Sequence, residues 1–188
     1  MTVAAKRPTV LLDVDDVLCP NQPFGGLHVF RALHGLDVAV PDLYEKLFAA
    51  QAVALLDELM CELSPRVVLT TSWLSLLKRP HFEHVFRRCG LASVADNFHV
   101  HWAAPTNRDE SRLDAVQRWL RAHHNGEPFV ILDDVESGES LTGSTLDVAG
   151  RVALCDATGC LQPSHLQLAR RALQRPIYEP HSTAPPRD

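Results

Sequence analysis

An α/β domain of three layers, a Rossmann-like parallel sheet with helices on both faces, is the fold class this sequence predicts, and three observations predict it. Short apolar runs recur along the chain and each stops at polar or acidic residues, as Thr9-Val10-Leu11-Leu12 does at Asp13-Val14-Asp15-Asp16. Between these runs the apolar residues change to helical spacing. The composition, 46% hydrophobic and 22% charged over 188 residues, is that of one ordinary globular domain long enough to bury a core. Continuous apolar strands alternating with helices build a parallel sheet covered on both sides.

The first strand is Thr9-Val10-Leu11-Leu12, and the pattern repeats where Val67-Val68-Leu69 meets Thr70-Thr71-Ser72. It repeats again where Phe129-Val130-Ile131-Leu132 meets Asp133-Asp134, and where Arg151-Val152-Ala153-Leu154 meets Cys155-Asp156. A fifth strand at 98–102 is expected to be weaker and more exposed, because His99 and His101 fall on one face. From 41 to 63, Leu43, Leu47, Ala50, Ala54 and Leu59 recur as a helix face requires, with Pro41 in the first turn. The 50 residues of 17–66 therefore have room for a loop and one long helix, and not for a large cap; the loop 20–26, with two prolines and two glycines, suits a small flap. Residues 73–111 are needed for a helix and a strand. Ser111-Arg112-Leu113-Asp114 resembles a capping box that opens a helix through Ala115, Val116, Trp119 and Leu120, which Gly126 and Pro128 close. Pro163 opens the last helix, expected to run to about residue 173. Residues 1–175 read as a single domain, and 176–188, with four prolines and little apolar content, read as a disordered tail.

The formal net charge of -5 gives a phosphate backbone no overall attraction, although local basic patches are compatible with it. The N-terminal residues lack an apolar signal core and no segment approaches 18 uninterrupted apolar residues, so a soluble, cytoplasmic protein with no membrane partner is expected. The five cysteines have no zinc-ligand spacing and read as reduced and mostly buried.

Ligands of open parallel sheets bind beyond the carboxyl ends of the strands, where Asp13, Asp15, Thr70, Asp133 and Asp134 are all expected. Asp13 and Asp15 are two residues apart, so on extended chain both side chains leave by the same face. Repulsion and desolvation then push one of the two toward its protonated form, and one pair can supply a nucleophile and an acid. Asp133 and Asp134 add oxygen ligands suited to a hard cation such as magnesium. Without that cation, four carboxylates and an incoming phosphate repel one another.

These residues carry a resemblance. LLDVDDVL resembles the D-x-D signature of haloacid dehalogenase (HAD) superfamily phosphatases; VVLTTSW, SRLDAVQRWL and FVILDD resemble, in order, its phosphate-contact strand, basic helix start and acidic metal-binding strand. The chain is most similar to the small HAD domains associated with Swiss Army Knife RNA repair proteins, over about residues 10–173. The resemblance implies an HAD-like fold, capless or with a minimal cap, and a magnesium-dependent phosphohydrolase. In it Asp13 attacks phosphorus to form an aspartyl-phosphate, and Asp15 protonates the leaving group and then activates water. Thr70, with Thr71 as the second candidate, contacts phosphate oxygens, and Arg112 holds the phosphate. Magnesium would be held by the carboxylate of Asp13, the main-chain carbonyl of Asp15 and one or both of Asp133 and Asp134. Two departures from the family pattern bear on rate rather than fold: Asp16 stands where Gly is usual, and Arg112 where Lys is common.

Plainer roles stand beside these. Asp134 caps the turn after its strand or ligates metal, and both readings stay open; Ser72 is read as a turn residue. His81 with His84, or His99 with His101, have the spacing of a metal pair but no further ligands, and are read as surface or packing residues. Trp119 belongs to a helix face and the core, while Trp73 follows the phosphate-contact segment directly and is placed to stack on a nucleobase. A capless site would admit extended phosphorylated substrates, a nucleic-acid end or a phosphoprotein. The alternative to an enzyme is a catalytically weak or inactive binding or regulatory module; a retained D-x-D favours the enzyme.

Overall fold

The structure, a computed structural model, describes residues 6–36, 40–156 and 159–175. Its centre is a five-stranded sheet, every pairing parallel, in the order β3-β2-β1-β4-β5. The strands are β1 Thr9–Leu12, β2 Arg66–Leu69, β3 Phe98–Ala103, β4 Phe129–Asp134 and β5 Val152–Cys155. Around them lie α1 Gly26–Leu33, α2 Leu43–Leu47, α3 Ala50–Leu63, α4 Arg79–Arg88, α5 Ala92–Ala95, α6 Arg112–His123, α7 Thr145–Val148 and α8 Pro163–Gln174, with 3-10 turns at Ser72–Ser75 and Glu139–Leu141.

The strict alternation of a strand divides each apolar run between two cores. Val10, Leu12, Val67, Leu69, Val130 and Leu132 face one side, where Leu56 and Met60 of α3, Phe82 and Phe86 of α4, and Leu166 and Ala169 of α8 cover them. Leu11, Val68 and Ile131 face the other, against Val116 and Trp119 of α6 and Leu141. The three layers are therefore real but unequal.

Register does the positioning. Leu12 of the central strand lies opposite Leu69 on one side and Leu132 on the other, so the next residues, Asp13, Thr70 and Asp133, emerge side by side. The backbone continues the pairing beyond the strand ends, with Thr70 N–H donating to Leu12 and Asp13 N–H donating to Leu132.

Two expectations need correction. The single helix foreseen over 41–63 is two, because Phe48 and Ala49 are extended and Ala49 N–H donates 2.8 Å to the carbonyl of Leu18. Phe48 is buried, so leaving the helix there puts the ring into the core while tying the segment to the loop after β1. The loop foreseen ahead of it also contains α1, whose amphipathic face is only eight residues long. The fifth strand is an edge with a register shift, and Val100 on it is 72% exposed. Its two histidines differ: His99 is buried against Trp119, whereas His101 is exposed. All five cysteines are free, and burial pushes the Cys19 and Cys155 thiols up to about 12, which makes them packing groups rather than nucleophiles. The tail at 176–188 lies outside the described residues. No helix among the described residues is long and apolar enough to cross a membrane.

Candidate active site

Two adjacent strands, β1 and β4, deliver the site's acidic groups. Asp13 is 1% exposed, and neither of its carboxylate oxygens has a well-formed hydrogen bond. Asp133 Oδ1 accepts from the Asp134 N–H at 3.0 Å, leaving Oδ2 buried. Asp134 Oδ1 accepts from the N–H groups of Glu136 and Ser137 at 2.8 and 2.9 Å, while its Oδ2 is buried without a partner. One oxygen of Asp134 thus caps the turn and the other remains available, so its two readings are compatible. An oxygen from each of Asp13, Asp133 and Asp134 lies within 4.8 Å of the others.

Among the described residues, a single guanidinium serves this cluster. Arg112 is the first residue of α6, whose start is fixed by the Ser111–Asp114 capping box, and it is buried. Its Nε is 2.9 Å from Asp133 Oδ2, too far out of line for a hydrogen bond, and its Nη2 is 3.6 Å from Asp13 Oδ2. Burial pushes Asp13 up to about 6, with Arg112 opposing the rise. Burial, and then the charge of Asp13, push Asp133 well above the ordinary carboxylate range. Asp13 and Asp133 share this guanidinium and Asp134 lies beside them, so with all three carboxylates ionised two negative charges are left, which a divalent cation would balance. Unpartnered carboxylate oxygens of this kind fit a hard ion such as magnesium.

Thr70 is fully buried with its hydroxyl unpartnered at the same strand end. Thr71 is committed locally, its hydroxyl accepting from the Trp73 N–H at 3.4 Å to start the 3-10 turn. Thr70 is thus the hydroxyl without a partner at this end of the sheet, while Thr71, which accepts from Trp73, keeps its own O–H to donate.

Asp15 does not join the carboxylate cluster. Its side chain turns to Trp73, whose indole Nε1–H donates 2.8 Å to Oδ1, and to Ser72, whose hydroxyl donates 3.0 Å to Oδ2. Trp73 is only 2% exposed, which removes it as a stacking platform for a base. It is clamped instead: a Cβ placed on Gly26 would come within 2.7 Å of the indole, so only glycine lets α1 approach, and Phe48 packs nearby. Sequence reasoning missed these partners of Asp15, although a Ser-Trp pair directly after Thr70-Thr71 and a Gly-Gly pair in the preceding loop were the signals present.

Asp16 has a φ of 54°, the left-handed region that glycine favours and Asp tolerates. Burial, then the nearby charges of Asp134, Asp15 and Glu136, raise its carboxyl above the usual range. We expect Asp16→Ala to lower unfolding free energy by about 1 kcal/mol, and Asp16→Gly to stay within roughly 0.5 kcal/mol of the parent. Urea melts of the three proteins check it, and equal losses would remove the backbone explanation.

The histidine pairs hold no metal set: His99 Nδ1 accepts from the His101 N–H at 2.9 Å, and His81 and His84 pack against His34 and Tyr44. Among the described residues, the aspartate cluster is the one group with metal-ligand spacing.

The family model described as the HAD domain in Swiss Army Knife RNA repair proteins matches residues 9–163. No curated protein and no solved structure matches the chain.

Proposed function

Because the chain belongs to this HAD family, we propose that it is a magnesium-dependent phosphohydrolase that cleaves phosphomonoesters through an aspartyl-phosphate on Asp13. The observation that supports this best is the buried set of unsatisfied oxygens on Asp13, Asp133 and Asp134 beside one guanidinium. Magnesium would be held by Asp13, Asp133 and Asp134 with the main-chain carbonyl of Asp15, and it would supply charge neutralisation that lets a phosphate dianion approach an ionised carboxylate.

The protein's own groups divide the work. A carboxylate oxygen of Asp13 attacks phosphorus as the bond to the leaving oxygen breaks. Asp15, aimed by Trp73 and Ser72, gives that oxygen a proton, so the leaving group departs as an alcohol. Water then attacks the aspartyl-phosphate and passes its proton to Asp15, which releases inorganic phosphate and restores Asp13. Thr70 and Arg112 hold the phosphate oxygens throughout, with Thr71 as a backbone-shaping neighbour. An open site suits extended substrates, a nucleic-acid end or a phosphoprotein. The direct test is phosphate release with magnesium over mononucleotides, 3′- and 5′-phosphorylated RNA and DNA, and phosphopeptides. Release from none of them would leave a binding module.

Metal binding should also appear as stability. In the metal-free protein the folded state holds the Asp13 proton up to about pH 6, whereas the unfolded chain loses it near 4, so folding binds a proton and stability falls as pH rises through that window. Magnesium requires ionised carboxylates and reverses the loss. At about 100 times its dissociation constant it adds about 2.7 kcal/mol, so the magnesium-dependent rise in Tm should be several degrees at pH 8 and much smaller at pH 5. Asp133→Asn should abolish most of that rise; an unchanged rise would remove Asp133 from the metal site.

A further inference from the structure

Beside Arg112 the end of the sheet opens into a groove of about 640 Å³, within the ~300–1,000 Å³ usual for ligand clefts. Thr71, Ser72 and Arg112 are shared between its wall and the site. We propose that this groove receives the group that carries the phosphate, that this group is an uncharged, hydroxyl-bearing sugar, and that the groove admits no second phosphate. This rests on the phosphohydrolase reading and narrows its substrate class.

The charge of the wall carries it. Arg112 is the one basic side chain lining the groove among the described residues, and it is already paired with Asp13 and Asp133. Three glutamates line the same space. Glu110 is balanced by both ends of the Arg118 guanidinium at 2.9 Å, but Glu136 and Glu139 are exposed and form no ion pair among the described residues. A cleft walled by one sign of charge concentrates its field inside. An ionised carboxylate can only accept hydrogen bonds, and it accepts them well from neighbouring hydroxyls. Thr106 and Ser137 add hydroxyls that give or take, while Leu74 and Pro105 supply apolar cover. A sugar's hydroxyls can donate to these carboxylates and hydroxyls, and its ring carbons can lie on the apolar cover. A second phosphate would set two further negative charges against Glu136 and Glu139 with no cation to receive them, so on a strand the next phosphodiester has to lie outside the groove.

The test compares adenosine 3′-monophosphate, adenosine 3′,5′-bisphosphate and a phosphoserine peptide, with magnesium and low salt, on the full chain. Expected is a kcat/KM for the monophosphate at least about tenfold above the other two, with the preference over the bisphosphate collapsing in the Glu136→Gln/Glu139→Gln double variant. Turnover with equal kcat/KM for mono- and bisphosphate, a preference that survives the double variant, or better turnover of the peptide would overturn the inference and leave the hydrolase reading standing. If nothing is turned over, calorimetry on the same wild-type protein decides. Tighter binding of the monophosphate then supports the groove while the hydrolase reading fails; equal or absent binding overturns both.

Discussion

Asp13→Asn should lower phosphate release by about 10⁴-fold or more on every substrate, because an amide cannot form the acyl-phosphate. The same substitution should make the metal-free protein more stable at pH 8. Burial raises the Asp13 carboxyl to about 6, so at pH 8 the fold holds an ionised group it would hold more easily uncharged. Each unit of such a rise corresponds to 1.36 kcal/mol, and a gain of about 1–3 kcal/mol is expected once a neutral amide replaces the carboxylate. Chemical melts in chelator read the stability and a phosphate-release assay reads the activity. Retained turnover would point to direct attack by water. Lost turnover with lost stability would indicate that the amide damages packing around Arg112.

Asp15→Asn should slow formation of the intermediate by about 10²–10⁴-fold for a sugar phosphate and far less for p-nitrophenyl phosphate, whose leaving group departs without a proton. Trp73→Phe keeps the packing against Gly26 but removes the indole N–H, so it should reproduce the same selectivity at about 10- to 100-fold, the size of a lost hydrogen bond to a charged group. Because the later hydrolysis step also needs a base, the comparison belongs to the first step, read by burst or trapping kinetics. Equal losses on both substrates would leave Asp15 without an acid role, and a Trp73→Phe protein that loses only KM would make the indole a packing group.

The sheet and its end were legible because β1, β2 and β4 are continuous apolar runs that stop at polar or acidic residues, and parallel register then brings Asp13, Thr70 and Asp133 together without further information. Arg112 was legible because the capping box at Ser111 fixes where α6 begins. The break at Phe48–Ala49 was hidden, since what ends α2 is a bond to Leu18, thirty-one residues back, and helical spacing carries no record of such a partner. The environment of Asp15 was hidden for the same kind of reason: Ser72 and Trp73 belong to another strand end, and the need for Gly26 arises only when α1 lands on the indole. Local periodicity reports which face a residue shows, and distant pairings decide what it meets there.

The central place of β1 also sets a schedule. β1 is written within the first dozen residues, yet one of its edges waits for β2 at 66–69 and the other for β4 at 129–134. During synthesis, Thr9–Leu12 therefore spends the making of some 120 residues with an open edge, a sticky apolar strand in search of a neighbour. Asp13 and Asp133 cannot meet before that interval ends, so the carboxylate cluster comes into being only as the sheet closes. A nascent chain stalled before residue 129 would hold Asp13 without its acidic neighbours and would leave that strand edge open to other chains.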